Sequence, residues 1–216
     1  MKVGIICAGD TELAPFLPII EDCKTSEKAM LKFYEGKIEG IDSVTLFSGV
    51  CKVNAAIATQ ILIDTYHVDL VINAGTAGGM DPKLDIFDTV ISTEVAYHDV
   101  HEEILTEFHP WMENVFFKAD EELLKLSEKA VAKLNTDYRI VWGRMVTGEA
   151  FIADAIIADR LTLTGSIGVF GLLMEGGDML KNKLGITTDG VKTNTSADMG
   201  ANILGLMVRG VSPLER

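Results

Sequence analysis

Val68-Asp69-Leu70-Val71-Ile72-Asn73-Ala74-Gly75-Thr76-Ala77-Gly78-Gly79 is the stretch on which the reading of this chain turns. Residues 68–74 form a short, nearly unbroken apolar run, the pattern of a strand covered on both faces. The run passes directly into a turn that is rich in glycine. In open α/β sheets, ligands sit beyond the carboxyl ends of the strands. Glycines at such a place let backbone N–H groups approach a ligand closely. A plain tight turn would look the same, and spacing leaves both readings open, because the run is neither G-x-G-x-x-G nor a Walker loop.

Working outward, residues 3–8 are a second apolar run, followed by Gly9-Asp10-Thr11-Glu12. Thr11 is placed to cap a helix beginning near Glu12, with Pro15 in its first turn and Pro18 shortening it. A carboxylate there is either a surface charge answering the helix dipole or a general base at the mouth of the sheet. Residues 31–38, 44–48, 89–97 and 138–146 are predicted strands, and 53–66 and 120–134 predicted helices. The last helix carries Leu123, Leu124, Ser127, Val131 and Leu134 on one stripe. This alternation predicts an α/β fold, a twisted mixed β-sheet flanked by helices.

The chain has 216 residues, 48% hydrophobic and 24% charged, enough for a full core. Asp and Glu number 32 against 19 Lys and Arg, a formal charge of −13. Without a basic patch, such a chain is repelled by phosphate backbones and anionic lipid, which argues against nucleic acid and membrane as partners. No apolar run reaches the roughly 18–20 residues of a membrane span. The apolar start is broken by Asp10 and Glu12, so it reads as a buried strand and not as a signal peptide. Three cysteines without a C-x-x-C pair predict free thiols and a cytoplasmic location. Tyr97-His98-Asp99-Val100-His101 invites a metal reading, but in a strand positions 98 and 101 face opposite sides and no third ligand is evident; no metal site is expected.

The chain changes character near residue 154. Residues 1–154 hold 26 acids and 13 bases; residues 155–216 hold 6 of each, with half of the 20 glycines. In this last block, residues 161–164 and 167–170 suit strands and 172–184 a helix. Residues 187–197 look polar and turn-like, with no core strand.

Taken together, residues 2–12, 48–55, 71–79, 88–99 and 147–152 resemble the methylthioadenosine/S-adenosylhomocysteine nucleosidase family of the purine nucleoside phosphorylase superfamily. The distinctive pieces are Gly4-Ile5-Ile6 leading to Glu12, the Asn73–Gly79 turn, Tyr97-His98-Asp99 and Thr147-Gly148-Glu149-Ala150-Phe151-Ile152. The resemblance implies a nucleoside phosphorylase-like sheet, a homodimer and a small-molecule nucleoside substrate. It also implies hydrolysis of the N-glycosidic bond to adenine, with no cofactor. By match, Glu12 activates water, and Val50 and Thr76 line the ribose and water site, with Ala8, Ala77 and Gly78 completing the substrate-binding set. Phe151 and Ile152 hold adenine, Met174 and Glu175 contact the ribose, and Asp198 protonates N7. Related phosphorylases carry an arginine two residues before the glycine matched by Gly75; here that residue is Asn73, which favours water over phosphate as nucleophile.

Residues 155–216 instead resemble part of the protease IV type of signal peptide peptidase, on residues 157–171 and 183–193. Ser166 does not match that family's nucleophile, so no peptidase activity is implied. The expected division is a nucleosidase-like α/β domain over 1–153 and an atypical C-terminal segment over 154–216 that either completes the same domain or does not. The alternatives to a working nucleosidase are a hybrid lacking a competent acid and a phosphate-dependent phosphorylase. Aromatic residues in Phe108-His109-Pro110-Trp111 and Val115-Phe116-Phe117 mark the expected dimer contact.

Overall fold

A computed structural model describes residues 1–85, 88–108, 112–134 and 139–149, together with the strand backbone of 166–170, 192–193 and 207–209. The apolar run at the N-terminus is β1 (Lys2–Cys7), followed by a single helical turn, α1 (Asp10–Leu13), and a 3-10 turn (Leu17–Ile19). A meander follows, of β2 (Glu21–Lys28), β3 (Leu31–Ile38) and β4 (Ile41–Phe47), and then α2 (Lys52–Asp64) and β5 (Leu70–Asn73). β5 and β4 flank β1, both parallel to it, while β3 and β2 extend the sheet antiparallel beyond β4.

A second mixed sheet begins with β6 (Gly78–Gly79) and β7 (Thr89–Tyr97). The chain continues through α3 (Glu102–Phe108), β8 (Phe117–Lys118), α4 (Glu121–Val131) and β9 (Ile140–Thr147). β9 lies parallel to β7 over its whole length. From the C-terminal block come β10 (Ser166–Phe170), β11 (Lys192–Thr193) and β12 (Met207–Arg209). β10 sits between β6 and β9, β11 pairs with β6, and β12 adds to the outer side of β5 in the first sheet. The glycine-rich turn after β5 is therefore where the chain leaves the first sheet and enters the second.

Side chains alternate along β1, as a pleated strand requires. Ile6 joins Phe33, Val44, Leu46, Ala58, Ile61, Leu62, Val68 and Val71 in a core between the sheet and α2. Val3, Ile5 and Cys7 join Leu13, Leu70 and Ala74 on the other side, with Leu123 of α4 packed against them. The helix α2 approaches so closely that a Cβ at Gly4 would lie 2.9 Å from Leu62 Cδ1.

Several expectations are corrected. Thr11 does not cap α1; Gly9 holds the cap position, and the Glu12 carboxylate reaches back to the Gly9 N–H. Thr11 lies inside the turn, and the helix ends at Leu13, ahead of Pro15. The strand β2 was not expected, because its sequence EDCKTSEK is polar and exposed throughout. It exists through antiparallel pairing with β3, and its charges suit a strand at the edge of the sheet as far as the described residues extend it. Asp120, expected inside a helix, is the N-cap of α4, accepting the N–H groups of Glu122 and Leu123 at 3.0 Å. Leu134, placed on the buried stripe, lies past the end of α4 and is 53% exposed. Within segment 187–197, read as polar and turn-like without a core strand, Lys192–Thr193 makes a two-residue pairing with Gly79 and Gly78. The expected elements at 161–164 and 172–184 lie outside the described residues.

Candidate active site

The carboxyl ends of the three adjacent parallel strands β4, β1 and β5 open on one place. From β1 the chain turns into α1 and brings Glu12 back over the strand ends. Glu12 Oε2 accepts the N–H groups of Ala8 at 2.7 Å and Gly9 at 2.9 Å. Its Oε1 accepts the N–H of Thr76 at 2.7 Å and the Thr76 hydroxyl at 3.3 Å. Both oxygens are thus fixed, one by the loop after β1 and one by the turn after β5. Burial pushes the Glu12 carboxyl above the usual glutamate range and outweighs the opposing pull of the Thr76, Gly9 and Ala8 donors. Four donors hold the carboxylate in place while burial raises its proton affinity, a combination suited to a general base.

Gly75 is required here for space. A Cβ at this position would stand 2.5 Å from Glu12 Oε1 and 2.9 Å from its Cδ. The turn does more than reverse the chain: its Thr76 N–H is spent on the Glu12 carboxylate. Beneath Glu12, the Cys7 thiol is buried, and burial followed by the nearby carboxylate pushes its acidity far out of the reactive range.

Val50 belongs to the loop after β4. Gly49 turns this loop with φ of +79°, and Cys51 follows with φ of +82°. The Ser48 N–H donates to the Cys7 carbonyl at 2.8 Å, and Asn54 Nδ2 donates to the Val50 carbonyl at 2.7 Å. Val50, Ala8 and Thr76 therefore come from three neighbouring strand ends. Ala77 follows in the turn, and Gly78 begins β6, paired with Val169 and Thr193. Asn73, at the end of β5, has a buried Oδ1 with no hydrogen-bond partner among the described residues. Phe151, Ile152, Met174, Glu175 and Asp198 lie outside the described residues.

A second cluster joins the ends of β7 and β9 to the start of α2. Asp99 accepts from Lys52 Nζ at 2.8 and 3.0 Å and from the Glu149 N–H at 2.7 Å. Lys52 Nζ also lies 5.0 Å from the Tyr97 ring centre, and the Lys52 N–H donates to Glu149 Oε1 at 3.1 Å. Burial alone would raise the Asp99 carboxyl, but Lys52 and the Glu149 N–H hold it below the usual aspartate range. His98 is pushed down by burial, against the pull of Asp99, and so is kept neutral. Its Nε2 is buried without a hydrogen-bond partner among the described residues, and a Cβ at Gly148 would lie 2.4 Å from it. Among the described residues no group of His, Cys, Asp and Glu is placed to hold a metal ion. The paired histidines do not converge, since His101 faces the exposed Glu103 at 3.6 Å. Sequence reasoning missed Lys52, for which a single lysine near a helix start offers no signal.

The arrangement is that of an α/β enzyme with a carboxylate at the mouth of its parallel strands. A family model described as the Phosphorylase superfamily matches residues 2–177, and the chain belongs to that superfamily. A second model, peptidase family S49, matches residues 146–212. Among solved structures, the 5′-methylthioadenosine/S-adenosylhomocysteine nucleosidase of Colwellia psychrerythraea, in complex with adenine, is 36% identical. That match covers 78% of this chain and 72% of the other, with a TM-score of 0.70. The corresponding nucleosidase of Neisseria meningitidis, in complex with methylthio-immucillin-A, is 25% identical over 96% of this chain and 84% of that one, TM-score 0.72. A futalosine hydrolase mutant of Helicobacter pylori, 20% identical over 98% of this chain and 89% of that one, shares the fold at a TM-score of 0.69. The chain is homologous to nucleosidases, and both segments of the sequence resemblance are matched.

Proposed function

We propose that this protein hydrolyses the N-glycosidic bond of 5′-methylthioadenosine and S-adenosylhomocysteine, releasing adenine. The observation that carries this reading is the Glu12 carboxylate, held by three backbone N–H groups at the strand ends and pushed up in proton affinity by burial. Glu12 takes a proton from water as the water oxygen bonds to C1′ of the ribose. The C1′–N9 bond breaks, its electron pair leaves with adenine, and N7 takes a proton from Asp198. Thr76 and Val50 border the ribose and water, with Ala8, Ala77 and Gly78 beside them. Phe151 and Ile152 hold the purine, and Met174 and Glu175 meet the ribose. The test is adenine release from 5′-methylthioadenosine with and without added phosphate. Phosphate-independent release supports hydrolysis; release only with phosphate makes the protein a phosphorylase.

One observation favours a second reading, a chain that binds nucleoside without turnover. The peptidase S49 match covers residues 146–212, the region that would have to supply Asp198. Adenine binding without adenine release is its signature. Against it, β10 and β11 pair within the second sheet and β12 within the first, which supports residues 154–216 completing the same domain as 1–153.

The assembly we propose is a homodimer. Val53 and Ile57 project from one face of α2 and are 65% and 44% exposed, and Ile104 and Phe108 of α3 are exposed as well. The aromatic stretch expected at this contact is partly used inside the fold: Phe116 lies under the Arg144 guanidinium at 4.0 Å, and Phe117 meets Tyr97 edge-on at 5.7 Å. His109, Pro110 and Trp111 lie outside the described residues. Sedimentation showing only monomer at micromolar concentration would remove the dimer. No described helix is long and apolar enough to cross a membrane; Cys7, Cys23 and Cys51, all free, support a cytoplasmic location.

A further inference from the structure

We infer that Asp99 and Glu149 are positioning residues: by gripping Lys52, the first residue of α2, they hold the preceding loop Gly49-Val50-Cys51 in a strained backbone form and keep Val50 in place at the Glu12 end of the site. The inference rests on the proposed nucleosidase reading, from which the role of Val50 beside the ribose and water comes.

The loop is anchored at both ends. On its N-terminal side, Ser48 bonds to the Cys7 carbonyl through its N–H at 2.8 Å and its hydroxyl at 3.3 Å. Cys7 directly precedes Ala8, whose N–H holds the Glu12 carboxylate. On its C-terminal side, α2 opens without a cap of its own, since the Cys51 side chain accepts no hydrogen bond at the N-cap. Glu149, which follows β9, supplies an acceptor: its Oε1 takes the Lys52 N–H at 3.1 Å, a carboxylate at the positive end of a helix dipole. Asp99, which follows β7, takes Lys52 Nζ at 2.8 and 3.0 Å and the Glu149 N–H at 2.7 Å. Residues at the ends of the second sheet thus grip the first residue of a helix that packs on the first sheet.

Between these anchors stands Cys51, with φ of +82° and ψ of +154°. That region is essentially reserved for glycine, and another residue stays there only where its surroundings over-determine it. Relaxing Cys51 to negative φ would swing the chain on one side of its Cα against the other, so it would move either Val50 or Lys52. Val50 is held in turn by Asn54, whose Nδ2 donates to the Val50 carbonyl at 2.7 Å. The grip at Lys52 is firmer than a surface ion pair, in which both side chains keep their freedom. The Lys52 and Asp99 side chains are 22% and 24% exposed, and the ammonium lies 5.0 Å from the Tyr97 ring centre. Gly148 lets the Glu149 peptide lie against Asp99, since a Cβ at Gly148 would stand 2.8 Å from Asp99 Cγ. The strain at Cys51 and the grip that opposes its release therefore meet in one loop, joined through Ser48 and Cys7 to the segment that holds Glu12.

The test measures turnover of 5′-methylthioadenosine and hydrogen exchange at the Lys52 and Ala55 amides. The Ala55 N–H donates to the Cys51 carbonyl at 3.2 Å and so reports the first turn of α2. Asp99→Ala should lower kcat about tenfold, short of the 10²-fold that a misplacement of about 1 Å costs, and should accelerate exchange at both amides. Asp99→Asn and Lys52→Met, each of which removes one charge of the pair, should lie between Asp99→Ala and wild type. Adding Cys51→Gly to Asp99→Ala should restore kcat to within about threefold of wild type and slow the exchange again, because glycine takes this φ without strain and nothing then drives the loop from its observed form. Adding Cys51→Ala instead, which keeps a Cβ, should restore neither. Equal rescue by glycine and alanine would overturn the inference, as would no rescue by glycine, or wild-type kcat or unchanged exchange in Asp99→Ala. A wild type that releases no adenine would overturn the nucleosidase reading and the role of Val50 with it; that outcome is told apart from a failed grip by the exchange pattern, which reads the loop without turnover.

Discussion

Replacing Gly75 with alanine tests the site by displacing its carboxylate while leaving every catalytic group in the chain. The added Cβ would stand 2.5 Å from Glu12 Oε1, 2.9 Å from Cδ and 3.0 Å from Oε2. The shortest ordinary carbon–oxygen separation is about 3.3 Å, so the carboxylate must retreat by roughly 0.8 Å. The group that yields is the far end of a side chain, so the fold tolerates the change. The Thr76 N–H and hydroxyl contacts, at 2.7 and 3.3 Å, are the ones stretched by that retreat. A misplacement of about 1 Å at a reacting group costs on the order of 10²-fold in rate. Steady-state adenine release from 5′-methylthioadenosine should fall about that far in kcat, and thermal unfolding should move by only a few degrees, about 2–4 °C per kcal/mol. Activity within about threefold of wild type would refute the idea that Glu12 works from its observed position.

Glu12→Gln keeps the shape but turns an N–H₂ toward one set of backbone donors, so adenine release should drop by about 10²-fold or more; retained turnover would mean that Glu12 is only a structural acceptor. The acid limb of the kcat/KM profile should lie above the ordinary glutamate value of 4.5, because burial raises Glu12 and only its ionised form accepts a proton from water. The same shift fixes a sign for stability. A raised carboxyl favours folding below its unfolded value and loses that contribution as pH rises through the folded one, so the stability difference between wild type and Glu12→Gln should decline across that window in chemical denaturation. Leu62→Ala empties a fully buried position between α2 and β1 and should cost about 2–5 kcal/mol in urea unfolding. Gly148→Ala should drive a methyl into the His98 ring, 2.4 Å from its Cε1 and Nε2, and destabilise by about 1–3 kcal/mol in the same assay.

Local pattern was enough for the parallel heart of the fold. β1, β4, β5, β7 and β9 carry short apolar or β-branched runs, and α2 and α4 have helical composition; such signals are carried within a few residues. The strand β2 has no such signal, because its partner β3 and not its own side chains makes it a strand. Position in sequence marked Glu12 and the glycine turn as neighbours of strand ends. Which of two meanings a helix-terminal glutamate has depends on what surrounds it, and residue 76 lies too far along the chain for the sequence to show that its N–H closes on residue 12. The same holds for Lys52, Asp99 and Glu149, three ordinary surface-type residues that become a tie only when the two sheets are brought together. Residue type and spacing thus determined the apolar strands, the turn and the place of Glu12 at the strand ends. Tertiary structure decided burial, and with it the raised proton affinity of Glu12 and the space that Gly75 must leave open, because desolvation and steric exclusion are properties of the packed surroundings and not of the residue.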